Sequence, residues 1–122
     1  MLPVVVSALR ERRAGPSLVS EFLRQAKKQL QREALREFPQ AGAFATRRER
    51  QTLEHCRELS ERAHYAFERA LAALDEYLQR QDERFLERSL LQYETAERYE
   101  AAIIRAKLHS PPESHGGLTL AS

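Results

Sequence analysis

Between Leu53 and Ile104 the chain contains neither glycine nor proline, and its apolar residues recur at steps of three and four. This spacing places apolar side chains on one face of an α-helix. A first series keeps a seven-residue repeat, and a second series, out of phase with the first, begins after Asp82. The first series is Leu53, Cys56, Ser60, Ala63, Phe67, Ala70, Leu74 and Leu78, and the second is Leu86, Leu90, Tyr93, Ala96, Ile103 and Ile104. The change of phase predicts two helices that fold back on each other.

A hairpin of two long antiparallel helices, over about residues 46–81 and 83–108, is the simplest arrangement that buries both series. Thr46 is predicted to cap the first helix, and a tight turn is predicted at Asp82. A single unbroken helix from Thr46 to Leu108 is the competing arrangement, and it would need a second chain to bury its apolar stripe. We favour the hairpin because the second series packs better in its own phase.

A further helix is predicted before the hairpin, over about residues 17–38. Ser17 suits its N-cap, and Pro39 sets its end near Phe38. Its apolar face consists of Val19, Phe22, Leu23, Ala26, Leu30 and Ala34. The segment before Gly15 is either a short helix, over about residues 3–13, or an extended arm, and Phe44 in the linker is expected to pack on the end of the bundle.

The sequence as a whole therefore predicts an all-α helical bundle. At 122 residues the chain suits one domain, which we place at residues 1–108. Residues 109–122 are rich in proline, glycine and serine and are predicted to form a flexible tail. No stretch reaches the length of a membrane span, and the single cysteine, Cys56, falls on the apolar stripe, so we expect a cytoplasmic protein with a reduced thiol.

Charge is distributed unevenly along the chain. Residues 1–50 carry a net charge of +6 and residues 51–122 a net charge of −4. The basic half is expected to fold onto the acidic hairpin, to contact another subunit head to tail, or to meet an acidic partner. Nucleic-acid binding through Arg47, Arg48, Arg50 and the basic face of the helix over 17–38 is the less favoured interpretation, since the acidic half would repel phosphate.

One layer of the predicted hairpin contains polar residues where apolar ones are expected. With the turn at Asp82, Phe67 should face Glu97 and His64 should face Glu100. Glu100 lies near the middle of the apolar stripe, where a carboxylate requires a partner, and His64 and Arg57 are the candidates. A polar contact that fixes the helix register is the favoured interpretation.

A metal site is the alternative interpretation of this layer. Glu61 and His64 form a Glu-x-x-His pair, which di-iron bundles combine with further glutamates. Glu94, Glu97 and Glu100 could supply these. Only one such pair is present, so the site would need a dimer. In this respect the chain resembles the encapsulated ferritin-like family, whose members are short helical hairpins. That resemblance would imply a metal-binding protein.

Two short motifs resemble those of known families. The C-terminal run from Gly116 to Ser122 resembles the peptides that load cargo into encapsulin shells, with Ala121 in place of the usual glycine, although a simple flexible tail is the favoured interpretation. Arg57 and His64 stand in an Arg-x6-His arrangement similar to the catalytic motif of some helical nucleotide-binding RNase domains. The arginine is followed by Glu58 rather than the usual polar residue, and the chain contains many arginines.

We therefore predict a non-enzymatic protein–protein interaction module, such as an adaptor, an assembly factor or a structural subunit, that acts without a cofactor. Self-association is expected because the long hairpin extends beyond the preceding helix. The interaction residues proposed are Arg47, Arg48, Arg50, Tyr65, Leu91 and Tyr99, the last three because they point away from the apolar stripes. A ferritin-like or cargo protein and a basic nucleic-acid-associated protein are the alternatives.

Overall fold

The computed structural model describes residues 1–35 and 42–108, and of residues 34 and 35 only the backbone. The described part of the chain forms four α-helices, which are α1 (Leu2–Arg10), α2 (Pro16–Leu35), α3 (Arg47–Arg80) and α4 (Arg84–Leu108). The predicted all-α fold is confirmed, and the N-terminal segment is a helix rather than an extended arm. The predicted helix end near Phe38 and the predicted tail over 109–122 lie outside the described residues.

The predicted hairpin is confirmed, because α3 and α4 pack on each other along most of their length. At the turn Gln81 adopts the left-handed conformation with φ of 58°, and its N–H donates to the Tyr77 carbonyl over 2.7 Å. Asp82 then accepts a hydrogen bond of 3.0 Å from the backbone N–H of Arg84. Hydrogen bonding to Arg84 lowers the pKa of Asp82 to about 2, so this contact starts α4 with an ionised side chain. A continuous helix through Asp82 is thereby excluded.

Thr46 caps α3, as the sequence predicts. Its hydroxyl accepts a hydrogen bond of 3.1 Å from the backbone N–H of Glu49, and the Glu49 carboxylate accepts one of 2.6 Å from the backbone N–H of Thr46. This reciprocal capping box satisfies two backbone donors that would otherwise lack partners. It also places an anion in the first turn, where it offsets the unfavourable interaction of Arg47, Arg48 and Arg50 with the helix dipole.

A seam of small side chains lies between α3 and α4. It comprises Ala66, Ala70 and Ala73 on α3 with Ser89 and Ala96 on α4, all of them buried. The Ser89 hydroxyl donates a hydrogen bond of 2.7 Å to the carbonyl of Ala70, which satisfies the one polar side chain in this seam. Small side chains let the two helix axes approach closely, so this seam determines which residues face each other.

The observed register differs from the predicted one by one helical turn. The Phe67 ring lies 5.8 Å from the Tyr93 ring, between their centroids, whereas the sequence paired Phe67 with Glu97. The prediction assumed that both helices begin at the same level beside Asp82. Instead the last turn of α3 extends past the start of α4. This offset places Ser89 against Ala70, where the serine hydroxyl can donate its hydrogen bond to the alanine carbonyl. The expected pairing of His64 with Glu100 is wrong for the same reason.

The first two helices cover the half of the hairpin that adjoins the turn, since α1 packs on α4 and α2 packs on α3. Their apolar faces join the hairpin in one core. This core consists of Leu2, Val6, Leu9, Val19, Leu23, Leu30, Ala70, Leu71, Leu74 and Leu86. An ion pair of 3.3 Å joins Lys27 of α2 to Asp75 of α3, in keeping with the expected attraction between the two halves of the chain.

The linker before α3 departs from the prediction at Phe44. This side chain is 100% exposed instead of packing on the end of the bundle. The residues beside it, Gly42 and Ala43, are also exposed, so the chain here runs over the surface. None of the four helices just described has both the length and the apolar character that crossing a membrane requires.

Replacing Gln81 with glycine should stabilise the protein. The left-handed conformation disfavours residues that have a Cβ atom, so Gln81→Gly should raise the free energy of unfolding by roughly 0.5–1 kcal/mol. Gln79→Gly, two residues earlier in the helix, is the matched control and should lower it by about 1 kcal/mol. Urea unfolding followed by circular dichroism measures both values. Equal losses for the two variants would contradict the hairpin turn.

Candidate protein-binding groove

The first helix covers only part of the hairpin. It contains 9 residues and is about 14 Å long, whereas α4 contains 25 residues and is about 38 Å long. Met1 and Leu2 lie near Phe67 and Tyr93, close to the middle of the hairpin. Within the described part of the chain, no helix continues along α4 beyond that point.

A groove of about 460 Å³ opens beside the first residues of α1. Three helices, α2, α3 and α4, contribute its walls. In a four-helix bundle the fourth helix would run along the whole hairpin, and here α1 fills only half of that position. Its apolar lining consists of Phe22, Ala26 and Leu30 from α2, Ala63 and Phe67 from α3, and Tyr93, Ala96 and Ile103 from α4. The groove therefore has the shape and the apolar lining that suit a helix.

Three carboxylates lie close together beside this apolar lining, and we call them the acidic rim: Glu33 of α2 with Glu97 and Glu100 of α4. Burial in the groove raises the pKa of Glu100, and the negative charges of Glu33 and Glu97 raise it further. Glu100 retains contact with solvent, but its carboxyl group is partly desolvated by the groove. Among residues 1–35 and 42–108, no lysine or arginine forms an ion pair with the acidic rim.

Two further groups border the groove near the acidic rim. His64 lies on its α3 side, and its Nε2 atom is 3.8 Å from the Glu68 carboxylate on the same helix. His64 forms no hydrogen bond or ion pair with Glu97 or Glu100, so the expected polar contact across the hairpin is absent. Burial raises the pKa of the Tyr93 phenol, and interaction with Glu97 adds to this shift.

The residues of the metal alternative are divided between two surfaces. His64 and Glu100 line the groove, whereas Glu61 lines a second, shallower groove and accepts a hydrogen bond of 3.1 Å from Arg57. Arg57 also pairs with Glu54 on the same helix. In the described ranges no three histidine, cysteine, aspartate or glutamate side chains are grouped as metal ligands would be.

The second groove, formed by α3 and α4 alone, contains two of the predicted interaction residues. Tyr65 and Tyr99 both line it, and Tyr65 is 59% exposed. The Arg69 guanidinium lies 5.6 Å from the centroid of the Tyr65 ring and donates a hydrogen bond of 3.3 Å to its hydroxyl. Leu91 is 56% exposed and lies one turn before Thr95, which lines the same groove. The structure thus places these three residues on one side of the hairpin.

The predicted basic residues lie at the open end of the hairpin. Arg47, Arg48 and Arg50 occupy the first turn of α3, and Arg105 and Lys107 occupy the last turn of α4. Because the two helices are antiparallel, both groups lie at the end opposite Gln81. This end is therefore basic, while the acidic rim lies nearer the middle of the hairpin.

Comparisons with models of protein families, with curated proteins and with solved structures found no match. The groove is therefore the basis for assigning a function. Sequence reasoning missed Glu33 and the groove itself. Glu33 lies one turn after Leu30, at the edge of the apolar face of α2, but the groove appears only once the length of α1 is known.

Replacing Glu100 should stabilise the protein at neutral pH. A carboxyl group whose pKa is raised in the folded state destabilises that state as the pH rises from the ordinary value of 4.5 through the folded pKa. Glu100→Gln should therefore increase the free energy of unfolding at pH 7, and the gain should vanish in acid, below the pKa of the unfolded state. Urea unfolding at both pH values measures this difference.

Glu94→Gln is the matched control, because Glu94 is exposed on the same helix. It should change the free energy of unfolding little at either pH. An equal pH dependence of the two variants would show that the groove does not perturb Glu100.

Proposed function

We propose that this protein is a non-enzymatic protein–protein interaction module that binds an amphipathic helix in the groove. The observation that carries this proposal is the half-filled fourth position of the bundle. There α1 begins beside Phe67 and Tyr93, and an apolar surface between α2, α3 and α4 extends past its first residues. Helical bundles bury such surfaces against a further helix, and binding proteins use grooves of this kind for helices from other chains.

The dimensions of the exposed surface favour a helix over a small molecule. The part of α4 that α1 leaves uncovered runs from Tyr93 to Leu108, a distance of 15 residues or about 23 Å. The groove beside it is open to solvent along one side, whereas small-molecule sites enclose most of the ligand. A helix of about four turns would cover this length, with apolar residues three and four positions apart against Leu30, Phe67 and Ile103.

Charge indicates which helices would bind best. The acidic rim formed by Glu33, Glu97 and Glu100 has no cation beside it in the described structure, so a bound helix with lysine or arginine at the edge of its apolar face would supply one. Complementary charges of this kind increase association rate and specificity more than affinity. The proposed ligand is therefore a basic amphipathic helix. The buried, unpaired Cys56 suits a reducing compartment, and we propose a cytoplasmic location for this interaction.

A synthetic peptide tests this proposal directly. A 16-residue helical peptide, about 24 Å long, with leucine on one face and lysine at its edges should bind the protein, as measured by fluorescence anisotropy. The same peptide with glutamate in place of lysine should bind at least about tenfold more weakly, because the acidic rim repels it.

Matched substitutions locate the binding surface. Ala26 is half-buried in the groove lining, and Ala26→Phe should fill the groove and weaken peptide binding at least about tenfold. Ala72 is exposed on α3, and Ala72→Phe should leave binding unchanged. Failure of the lysine peptide to bind, or equal effects of the two substitutions, would overturn the proposed function.

A further inference from the structure

We propose that the helix that packs beside the outer end of the groove is α4 of a second copy of this chain, packed antiparallel to the first copy's α4 about a two-fold axis near Ile104. This inference rests on the proposed function and names its partner. Each copy would then both supply a helix and receive one, which gives a closed dimer with a single type of interface.

The first argument is the apolar stripe along α4. At 100° per residue, Leu86, Leu90, Ile104 and Leu108 fall on one face of this helix, on which Glu97 also lies between the two apolar pairs. Leu86 is 0% exposed and Leu90 is half-buried where α1 packs, but Ile104 is 59% exposed and Leu108 is 76% exposed beyond the end of α1. The same face of α4 is therefore buried where α1 packs, at Leu86 and Leu90, and exposed to solvent beside the groove, at Ile104 and Leu108.

The second argument is length. The last part of α4, residues 97–108, is about 18 Å long, and the uncovered surface that begins at Tyr93 is about 23 Å long. With the two-fold axis beside Ile104, residues 100–108 of one α4 lie along residues 100–108 of the other, a length of about 12 Å that fits within the uncovered surface. Ala101, a small residue in this part of the helix, allows the two helices to approach closely near the two-fold axis.

The third argument is charge. Arg105 and Lys107 lie in the last turn of α4, and neither forms an ion pair in the described structure. Antiparallel packing places the basic end of one α4 along the acidic rim of the other. With the two-fold axis beside Ile104, residues one turn before Ile104 lie opposite residues one turn after it.

Glu100 and Lys107 meet across this axis. They lie about 20° apart around α4, on the same flank of the stripe, and antiparallel packing brings like flanks together. Glu100 of each copy then faces Lys107 of the other. The two-fold axis forms this pair twice, and each pair brings a cation to a partly desolvated carboxylate.

The interface is short, so the dimer should be weak and dependent on concentration. Light scattering coupled to size-exclusion chromatography, from about 1 μM to about 1 mM, should show a monomer that converts to a dimer with a micromolar dissociation constant. A monomer throughout this range would overturn the inference.

Charge reversal tests the pairing itself. Glu100→Lys and Lys107→Glu each replace two attractive pairs by two repulsive ones, so each variant alone should dimerise at least about tenfold more weakly. The double variant Glu100→Lys/Lys107→Glu makes both pairs attractive again and should dimerise as the unchanged protein does.

An equimolar mixture of the two single variants shows whether the pair joins different copies. In the mixed dimer, the lysine introduced at position 100 faces the glutamate introduced at position 107. The native Glu100 of the second variant faces the native Lys107 of the first, so both pairs are attractive. The mixture should therefore recover the dimer that neither variant forms well alone, whereas a pair within one chain would gain nothing from mixing.

Two controls accompany the charge reversals. Arg62→Glu changes an exposed residue of the second groove and should leave dimerisation unchanged. Circular dichroism checks that each variant folds, and Lys107→Gln replaces Lys107→Glu if the added negative charge at the helix end unfolds α4. A dimer that neither reversal weakens, or that the mixture and the double variant both fail to restore, would overturn the inference.

The peptide assay separates this inference from the proposed function. Lys107→Glu leaves the lining of the groove intact while removing its second-copy occupant. This variant should therefore bind the lysine peptide at least as tightly as the unchanged protein does. Peptide binding by a protein that is always monomeric would retain the proposed function and reject the second copy, whereas loss of peptide binding with dimerisation intact would reject the groove as the binding surface.

Discussion

Close packing between α3 and α4 determines the rest of the structure. Alanine side chains on α3 leave room for the Ser89 hydroxyl, which would be costly to bury without the Ala70 carbonyl as its acceptor. This hydrogen bond fits only one offset between the helices. The pairing of Phe67 with Tyr93 follows from that offset, as does the position of every polar residue near the middle of the hairpin.

The offset also explains why none of the described lysines and arginines forms an ion pair with the acidic rim. It separates Glu100 from His64, which instead lies near Glu68 on its own helix. Glu100 is left near Glu33 and Glu97, whose charges disfavour its ionised form. A monomer gains nothing from such a cluster beside an apolar surface, and unfavourable local arrangements of this kind are typical of binding sites.

Much of the fold could be predicted from the sequence because its signals depend on residues that are close together along the chain. These signals are the apolar periodicity, the cap at Thr46 and the change of phase near Asp82. The register could not, because a shift of one helical turn brings nearly the same set of side chains into the interface. The deciding residue was Ser89, which the apolar pattern did not include. Within the site, the Glu-x-x-His spacing predicts that Glu61 and His64 act together. The two side chains are about 60° apart around α3, and α4 packs against the helix between them, so each side chain lines a different groove.

The length of α1 controls how much of the hairpin is available to other chains. Each further turn at this position would cover about 5.4 Å of α4, so about four more turns would convert the molecule into a self-contained four-helix bundle. The 9 residues that form α1 therefore cover the half of the hairpin beside Gln81 and leave apolar surface of α4 exposed in the other half. If two helices of equal affinity compete for this exposed surface, one tethered to the molecule would exclude a free one. Tethering gives the first helix the higher effective concentration at the surface.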